Sequence, residues 1–120
     1  KAVADEIGAA GGKAIGVRVD VTDPASARAM AEAATTAFGG VDILVNNAAL
    51  MAELGMLHVA DVALEEWNRI LEVNLTGALI CSQAVIPSMR ARGGGRSAGT
   101  RAVHVRKGHR PGPGGGGEST

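Results

Sequence analysis

The chain has no tyrosine, and tryptophan, phenylalanine and cysteine occur once each among its 120 residues. The lone Cys81 excludes an intramolecular disulfide framework, is compatible with a reducing cytoplasm, and offers no second thiolate for a metal site. No run of about 18 apolar residues is present, so we expect a soluble, cytoplasmic protein without a membrane partner. Because aromatic residues make up 2% of the chain, the core must be built from aliphatic side chains and methionine.

Charge is unevenly distributed, although the formal net charge is zero. Residues 1–89 carry −6 and residues 90–120 carry +6, while residues 93–120 hold 10 of the 18 glycines. This change predicts a folded domain at 1–92 and a Gly/Arg/Pro-rich, disordered tail at 93–120. A basic tail could contact nucleic acid, but no aromatic side chain lies between its arginines to stack on a base. We therefore expect no nucleic-acid partner.

Helical and strand patterns alternate along the first part of the chain. Residues 2–10 predict a helix that ends at Gly11-Gly12, and residues 14–19 are typical of a short buried strand that ends at Asp20. A helix then begins at Pro24, with Asp23 as its N-cap, and continues to Phe38 before Gly39-Gly40. Its apolar face should pack on a sheet. Residues 41–45 predict a second strand, parallel to the first because a helix joins them.

Helical spacing returns after an irregular stretch. Residues 50–62 are read as a loop or a short irregular helix. Residues 65–91 predict one long helix with a kink at Thr76-Gly77 or at Pro87. In this helix Trp67 is assigned to the core, and Cys81 is expected to be an inert buried thiol.

Three segments stand in order at the ends of these elements. They are Asp20-Val21-Thr22-Asp23, Asn46-Asn47-Ala48-Ala49 and, within the long helix, Trp67-Asn68-Arg69-Ile70-Leu71-Glu72-Val73-Asn74-Leu75. Together they resemble the middle of a standard-length short-chain dehydrogenase/reductase, over residues 1–95. The resemblance implies an α/β fold with a partial Rossmann-like, doubly wound parallel sheet whose N- and C-terminal parts are missing. It also implies an NAD(P)-dependent oxidoreductase that interconverts an alcohol and a ketone by hydride transfer.

The resemblance assigns a cofactor role, toward NAD or NADP, to both strand ends. Asp20 would accept a hydrogen bond from the adenine amino group, and Val21 would line the same pocket. Asn47 and Ala48 would run beside the adenosine ribose, and Ala49 replaces the usual glycine toward the nicotinamide side. The alternative for Asp20 is a solvated turn residue.

Two asparagines carry further implied roles. Asn46 matches the residue that ties neighbouring strands together, and its alternative is a satisfied amide in a tight turn. Asn74 matches the catalytic asparagine that disturbs its helix so that a backbone carbonyl can hold a water; its alternative is an interhelical polar contact. Met51 and Met56 could line a substrate pocket or fill gaps in the core. No metal site is assigned, because His58, His104 and His109 lack ligand spacing.

Several parts of the family pattern are absent from the chain. There is no tyrosine to pass a proton to substrate, and Lys107 has Val103 four residues before it. No glycine-rich turn follows a first strand, so cofactor affinity should be poor. We expect further sequence before Lys1, hypothesise a reading-frame error near Gly93–Gly95, and predict that the chain as written is inactive.

Partners follow from the resemblance as well. The intact enzyme should take a small-molecule alcohol or ketone and form a homo-oligomer through the 65–91 helix. A different function is a non-catalytic adenosine-binding or dimerisation module.

Overall fold

The computed structural model describes residues 2–50, 59–99 and 103–106. The elements are α1 (Ala2–Ala9), α2 (Pro24–Phe38), β1 (Ile43–Val45), a 3-10 turn (Val59–Asp61), α3 (Leu64–Leu71), a π-helical turn (Glu72–Thr76), α4 (Gly77–Ala91), β2 (Gly94–Ala98) and β3 (Val103–Arg106). Helices alternate with the strands of a short sheet, and the predicted α/β class is confirmed.

Local capping chemistry sets the ends of α2, as the sequence predicts. Asp23 Oδ1 accepts a hydrogen bond from the backbone N–H of Ala25 at 2.9 Å, and Pro24 occupies the first turn. At the other end Gly39 has φ +86°, and its N–H donates to the Thr35 carbonyl at 2.8 Å. A residue with a side chain would be strained in that left-handed conformation, so glycine ends the helix there.

The sheet pairs different strands from those predicted. β1 lies parallel to β2, with Leu44 opposite Ser97, and β2 lies antiparallel to β3. Residues 14–19 form no strand in the described structure. The predicted parallel pair between residues 14–19 and 41–45 is therefore wrong. A strand exists only where a neighbour completes its hydrogen-bond ladder, and among the described strands none pairs with this segment.

The beginning of the predicted tail is part of the sheet. Residues 94–98 and 103–106 are strands, so the prediction of disorder from residue 93 is wrong for these two segments. β2 lies close against α4, since a Cβ added to Gly95 would lie 2.5 Å from the Met89 Cγ. Glycine at this position lets the strand approach the helix, which composition alone cannot reveal.

The small core lies mainly between α2 and α4. Ala27 and Ala31 of α2 are buried, as are Cys81, Val85 and Met89 of α4. These helices pack against each other. The predicted packing of the α2 apolar face on a sheet is therefore corrected: α4, which itself contacts β2, takes most of that face.

The helix at 65–91 is present but interrupted. A π-helical turn separates α3 from α4, directly before the predicted kink position at Gly77, while Pro87 lies inside α4. Trp67 is 53% exposed, so its assignment to the core is wrong for the described structure. By length and composition the segment Leu64–Ala91 could cross a membrane. Its α4 half supplies three of the buried apolar residues, Cys81, Val85 and Met89.

Candidate cofactor-binding site

A cleft of about 460 Å³ opens where the chain leaves β1. Its walls come from the turn at Val21, the segment Asn46–Ala49 and the π-helical turn that contains Asn74. Five of the six predicted site residues thus line one cleft: Val21, Asn47, Ala48, Ala49 and Asn74. Asn47, Ala48 and Ala49 are exposed and line the cleft.

The sixth residue, Asp20, stands beside the cleft next to Val21. Its Oδ1 accepts hydrogen bonds from the Thr22 backbone N–H at 2.9 Å and from the Thr22 Oγ1 at 2.7 Å. Both bonds favour the charged carboxylate, so they lower the pKa of Asp20 below its ordinary value. Within residues 2–50, 59–99 and 103–106, Oδ2 receives no hydrogen bond. Asp20 is an exposed turn residue with one carboxylate oxygen left to accept from a ligand.

A close approach between α4 and the Val21 turn forms one wall of the cleft. A Cβ added to Gly77 would lie 2.8 Å from Val21 Cγ2 and 3.2 Å from its Cβ. Any larger residue at position 77 would push Val21 toward the cleft or away from the helix. The sequence pattern treated Gly77 only as a weak point of the helix, although a glycine inside a helix is itself a signal of close packing.

Asn74 fastens the loop after β1 to the π-helical turn. Its Oδ1 accepts from the Leu50 backbone N–H at 2.7 Å, and its Nδ2 donates to the Leu50 carbonyl at 3.3 Å. The alternative of an interhelical contact is wrong, because the partner is loop backbone. The helix is disturbed at this position, since the Gly77 N–H donates to the Glu72 carbonyl five residues earlier.

Asn46 ties β1 to β2, as the resemblance implies, and also contacts α4. Its backbone N–H donates to the Ala98 carbonyl at 2.8 Å, and its Nδ2 lies 3.2 Å from Ser97 Oγ and 3.5 Å from Ser82 Oγ. Neither serine was predicted to matter. Ser82 shows only helical spacing, and Ser97 falls in the predicted tail.

Among the remaining candidates, Cys81 is not part of the described cleft lining. Cys81 is buried, and this burial raises the pKa of its thiol, in agreement with the expected inert cysteine. Met51 and Met56, the two methionines proposed for a substrate pocket, lie outside the described residues, as do His58 and Lys107. His104 lies in β3.

The chemistry of the cleft suits binding better than proton transfer. Among the described residues its lining consists of amide and apolar side chains, without an ionisable group. An apolar valine, two small, exposed alanines and a neighbouring carboxylate fit a flat base and a ribose, which need close approach and a hydrogen-bond acceptor. These residues therefore fit the adenosine part of a dinucleotide.

Comparisons with known proteins identify the family. The sequence profile of the family described as "short chain dehydrogenase" matches residues 1–108. A 3-alpha-(or 20-beta)-hydroxysteroid dehydrogenase of Mycobacterium tuberculosis is 46% identical over 95 residues, which is 79% of this chain and 34% of that protein. An uncharacterized short-chain type dehydrogenase/reductase of Sinorhizobium fredii is 40% identical over 97 residues, covering 81% of this chain and 37% of that protein.

A solved structure is similar over the same share of the chain. The crystal structure of a short-chain type dehydrogenase/reductase from Mycobacterium marinum superposes with a TM-score of 0.72 at 40% identity, covering 81% of this chain and 37% of that chain. The chain thus spans about a third of the length of the curated relatives it matches.

Proposed function

The chain belongs to the short-chain dehydrogenase family, and we propose that its cleft binds the adenosine half of NAD or NADP in a protein that interconverts an alcohol and a ketone by hydride transfer. One observation carries the proposal. Val21, the Asn46–Ala49 segment and Asn74 come from three separate parts of the chain and line a single cleft beside an exposed carboxylate. The bound dinucleotide would supply or accept the hydride.

The residues of the cleft take separate roles. Asp20 accepts a hydrogen bond from the exocyclic amine of adenine through Oδ2, and Val21 packs on the base. Asn47 and Ala48 run beside the ribose, and Ala49 lies toward the nicotinamide side. Asn74 holds the loop through Leu50 and keeps the π-helical turn in place.

Calorimetric titration of the full chain with ADP-ribose tests the binding role. Asp20→Ala should weaken the affinity by about 2- to 10-fold, the range that one hydrogen bond of ordinary net strength supports. Asp5→Ala, which removes an exposed carboxylate on α1, is the matched control and should leave the affinity unchanged. Equal affinities for both variants, or no binding by the wild-type chain, would refute an adenosine site.

We also propose that this chain, by itself, does not catalyse the hydride transfer. The reaction needs a proton donor and acceptor next to the substrate oxygen, and the sequence has no tyrosine. The described lining of the cleft offers no ionisable side chain in its place. The NADH absorbance should stay constant when NADH is mixed with ketones, and no NADH absorbance should appear when NAD+ is mixed with alcohols. Turnover above the uncatalysed rate would overturn this part of the proposal.

A second role is assembly through the 65–91 helix. Five large apolar side chains are 39–73% exposed and follow one another at intervals of three and four: Leu64, Trp67, Leu71, Leu75 and Leu79. Such a stripe is typical of a surface that another helix covers. We propose a soluble, cytoplasmic homo-oligomer that buries the part of this stripe outside the cleft, at Leu64, Trp67 and Leu79.

Sedimentation at several concentrations tests the assembly role. Leu79→Lys should shift the chain toward monomer, since it places a charge within the stripe at a residue that does not line the cleft. Ala91→Lys adds the same charge at an exposed position of α4 outside the stripe and should leave the distribution unchanged. If the wild-type chain is monomeric at all concentrations, the assembly role is wrong.

A further inference from the structure

The loop that follows β1 is held at both ends by side chains from other elements. At its start, Asn46 is bonded through its backbone to Ala98 and through its amide to Ser97. At its end, Leu50 is bonded by both backbone polar groups to the Asn74 amide. Between these two sets of hydrogen bonds lie three exposed residues, Asn47 to Ala49, which form part of the cleft wall.

The side-chain amide of Asn46 is held by two hydroxyl groups. Ser97 on β2 is 4% exposed, and its Oγ lies 3.2 Å from Asn46 Nδ2. Ser82 on α4 lies 3.5 Å from the same nitrogen, and the two hydroxyl oxygens are 3.4 Å apart. The three side chains thus form a closed polar cluster between a strand end, a neighbouring strand and a helix. In the described residues, none of the buried side-chain polar atoms is without a partner.

The position of Gly99 restricts Asn46 further. A Cβ added to Gly99 would lie 2.9 Å from Asn46 Cβ and 3.1 Å from its carbonyl oxygen. The chain after β2 therefore packs directly on the backbone and Cβ of Asn46. With its amide directed to the two serines, Asn46 sets the direction in which the chain leaves β1.

We propose that Ser97, assisted by Ser82, is a positioning residue for the cleft: it holds the Asn46 amide, and this hold fixes the Asn47–Ala49 wall in the conformation that receives adenosine. The inference rests on the proposed function for the identity of the ligand. A three-residue segment fixed at both ends has lost its conformational entropy when the protein folds, so a ligand need not order it on binding. If the hydrogen bonds at one end are lost, the segment stays mobile in the free protein. The ligand must then order it, and this loss of conformational entropy weakens binding.

Two substitutions that introduce side chains of the same shape separate the effect of the hydroxyl group from the effect of packing. Ser97→Thr and Ser97→Val both introduce a β-branched side chain of similar volume into β2, but only threonine keeps the hydroxyl group. Any strain from the added methyl groups, and any gain in strand propensity, is common to both. The difference between the two variants therefore reports the hydrogen bond to Asn46.

Amide hydrogen exchange in the full, ligand-free chain is the first measurement. Relative to Ser97→Thr, Ser97→Val should accelerate exchange at the Asn46 and Leu50 N–H groups by about fivefold, the factor for one ordinary hydrogen bond. Exchange at Val85 in the core of α4 should differ by less than about twofold. Equal rates in the two variants, or a change at Val85 as large as that at Leu50, would show a purely structural role and overturn the proposal.

ADP-ribose titration is the second measurement. The Kd should rise by about fivefold in Ser97→Val relative to Ser97→Thr, and by less in Ser82→Ala, because a contact of 3.5 Å is at the limit of a hydrogen bond. Unequal loop exchange with equal Kd values would overturn the positioning role. If the wild-type chain binds no ADP-ribose, the proposed function fails, and the exchange rates still decide whether Ser97 fixes the loop.

Discussion

Replacing Asn74 by alanine should destabilise the chain through the loss of its two bonds to Leu50. One bond is short, at 2.7 Å, and the other is longer, at 3.3 Å. Net contributions of about 1 kcal/mol and somewhat less give a loss of about 1.5–2 kcal/mol. Alanine is the better helix former by about 0.5 kcal/mol, which offsets part of this loss. The expected decrease in the free energy of unfolding is therefore about 1–1.5 kcal/mol for Asn74→Ala.

Asn68→Ala is the matched control, because Asn68 is exposed on α3 and belongs to the same helical segment. Asn68→Ala should gain the helix propensity without losing the contact to Leu50, so the free energies of unfolding of the two variants should differ by about 1.5–2 kcal/mol. Urea unfolding followed by far-UV circular dichroism measures both. With a slope of about 1–3 kcal/mol per molar urea, the midpoints should lie about 0.5–2 M apart. The reasoning is refuted if Asn74→Ala is as stable as Asn68→Ala.

Three further predictions concern the core, the acid range and the coding DNA. Met89 is fully buried. Met89→Ala should therefore lower the free energy of unfolding by about 2–5 kcal/mol, and Met89→Leu by less than about 1.5 kcal/mol. If urea unfolding gives similar losses for the two variants, this packing is contradicted. Because Thr22 lowers the pKa of Asp20, their interaction stabilises the fold above the ordinary pKa of about 3.9 and is lost as the pH falls through the lower, folded-state value. NMR titration should show a higher midpoint for Asp20 in Thr22→Val, and an unchanged midpoint would disprove the cause. Sequencing the DNA should show that another frame after residue 95 encodes a Val/Ile-rich strand, a serine and Tyr-x-x-x-Lys, and a frame without them would end the hypothesis of a frame error.

The helix ends could be predicted because their causes lie within a few residues. The Asp23 cap, the first-turn Pro24 and the left-handed Gly39 act on backbone groups of their immediate neighbours, so a short stretch of sequence contains all of the interaction. The same holds for the break before Gly77. It was expected from a glycine in the helix, and it is found as a π-helical turn over Glu72–Thr76.

Strand pairing could not be predicted in this way. Residues 14–19 have the composition of a strand but are not part of a ladder, whereas residues 94–98, rich in glycine, form β2 because β1 and α4 lie next to them. The exposure of Trp67 could not be predicted for a similar reason. Helical spacing shows which residues share a face of a helix, but whether another element covers that face depends on the rest of the fold.

The sequence by itself determined the α/β class, the ends of α2, the family resemblance and five of the residues that line the cleft, because each depends on local patterns or on short segments in order. Only the tertiary structure decided that Asn46 meets Ser82 and Ser97, at separations of 36 and 51 residues, and that Asn74 holds Leu50. Such contacts arise from the pairing of β1 with β2 and the packing of α4 beneath them. A hydrogen bond needs its two atoms within about 3.5 Å, and for residues this far apart in the chain only the complete fold sets that distance.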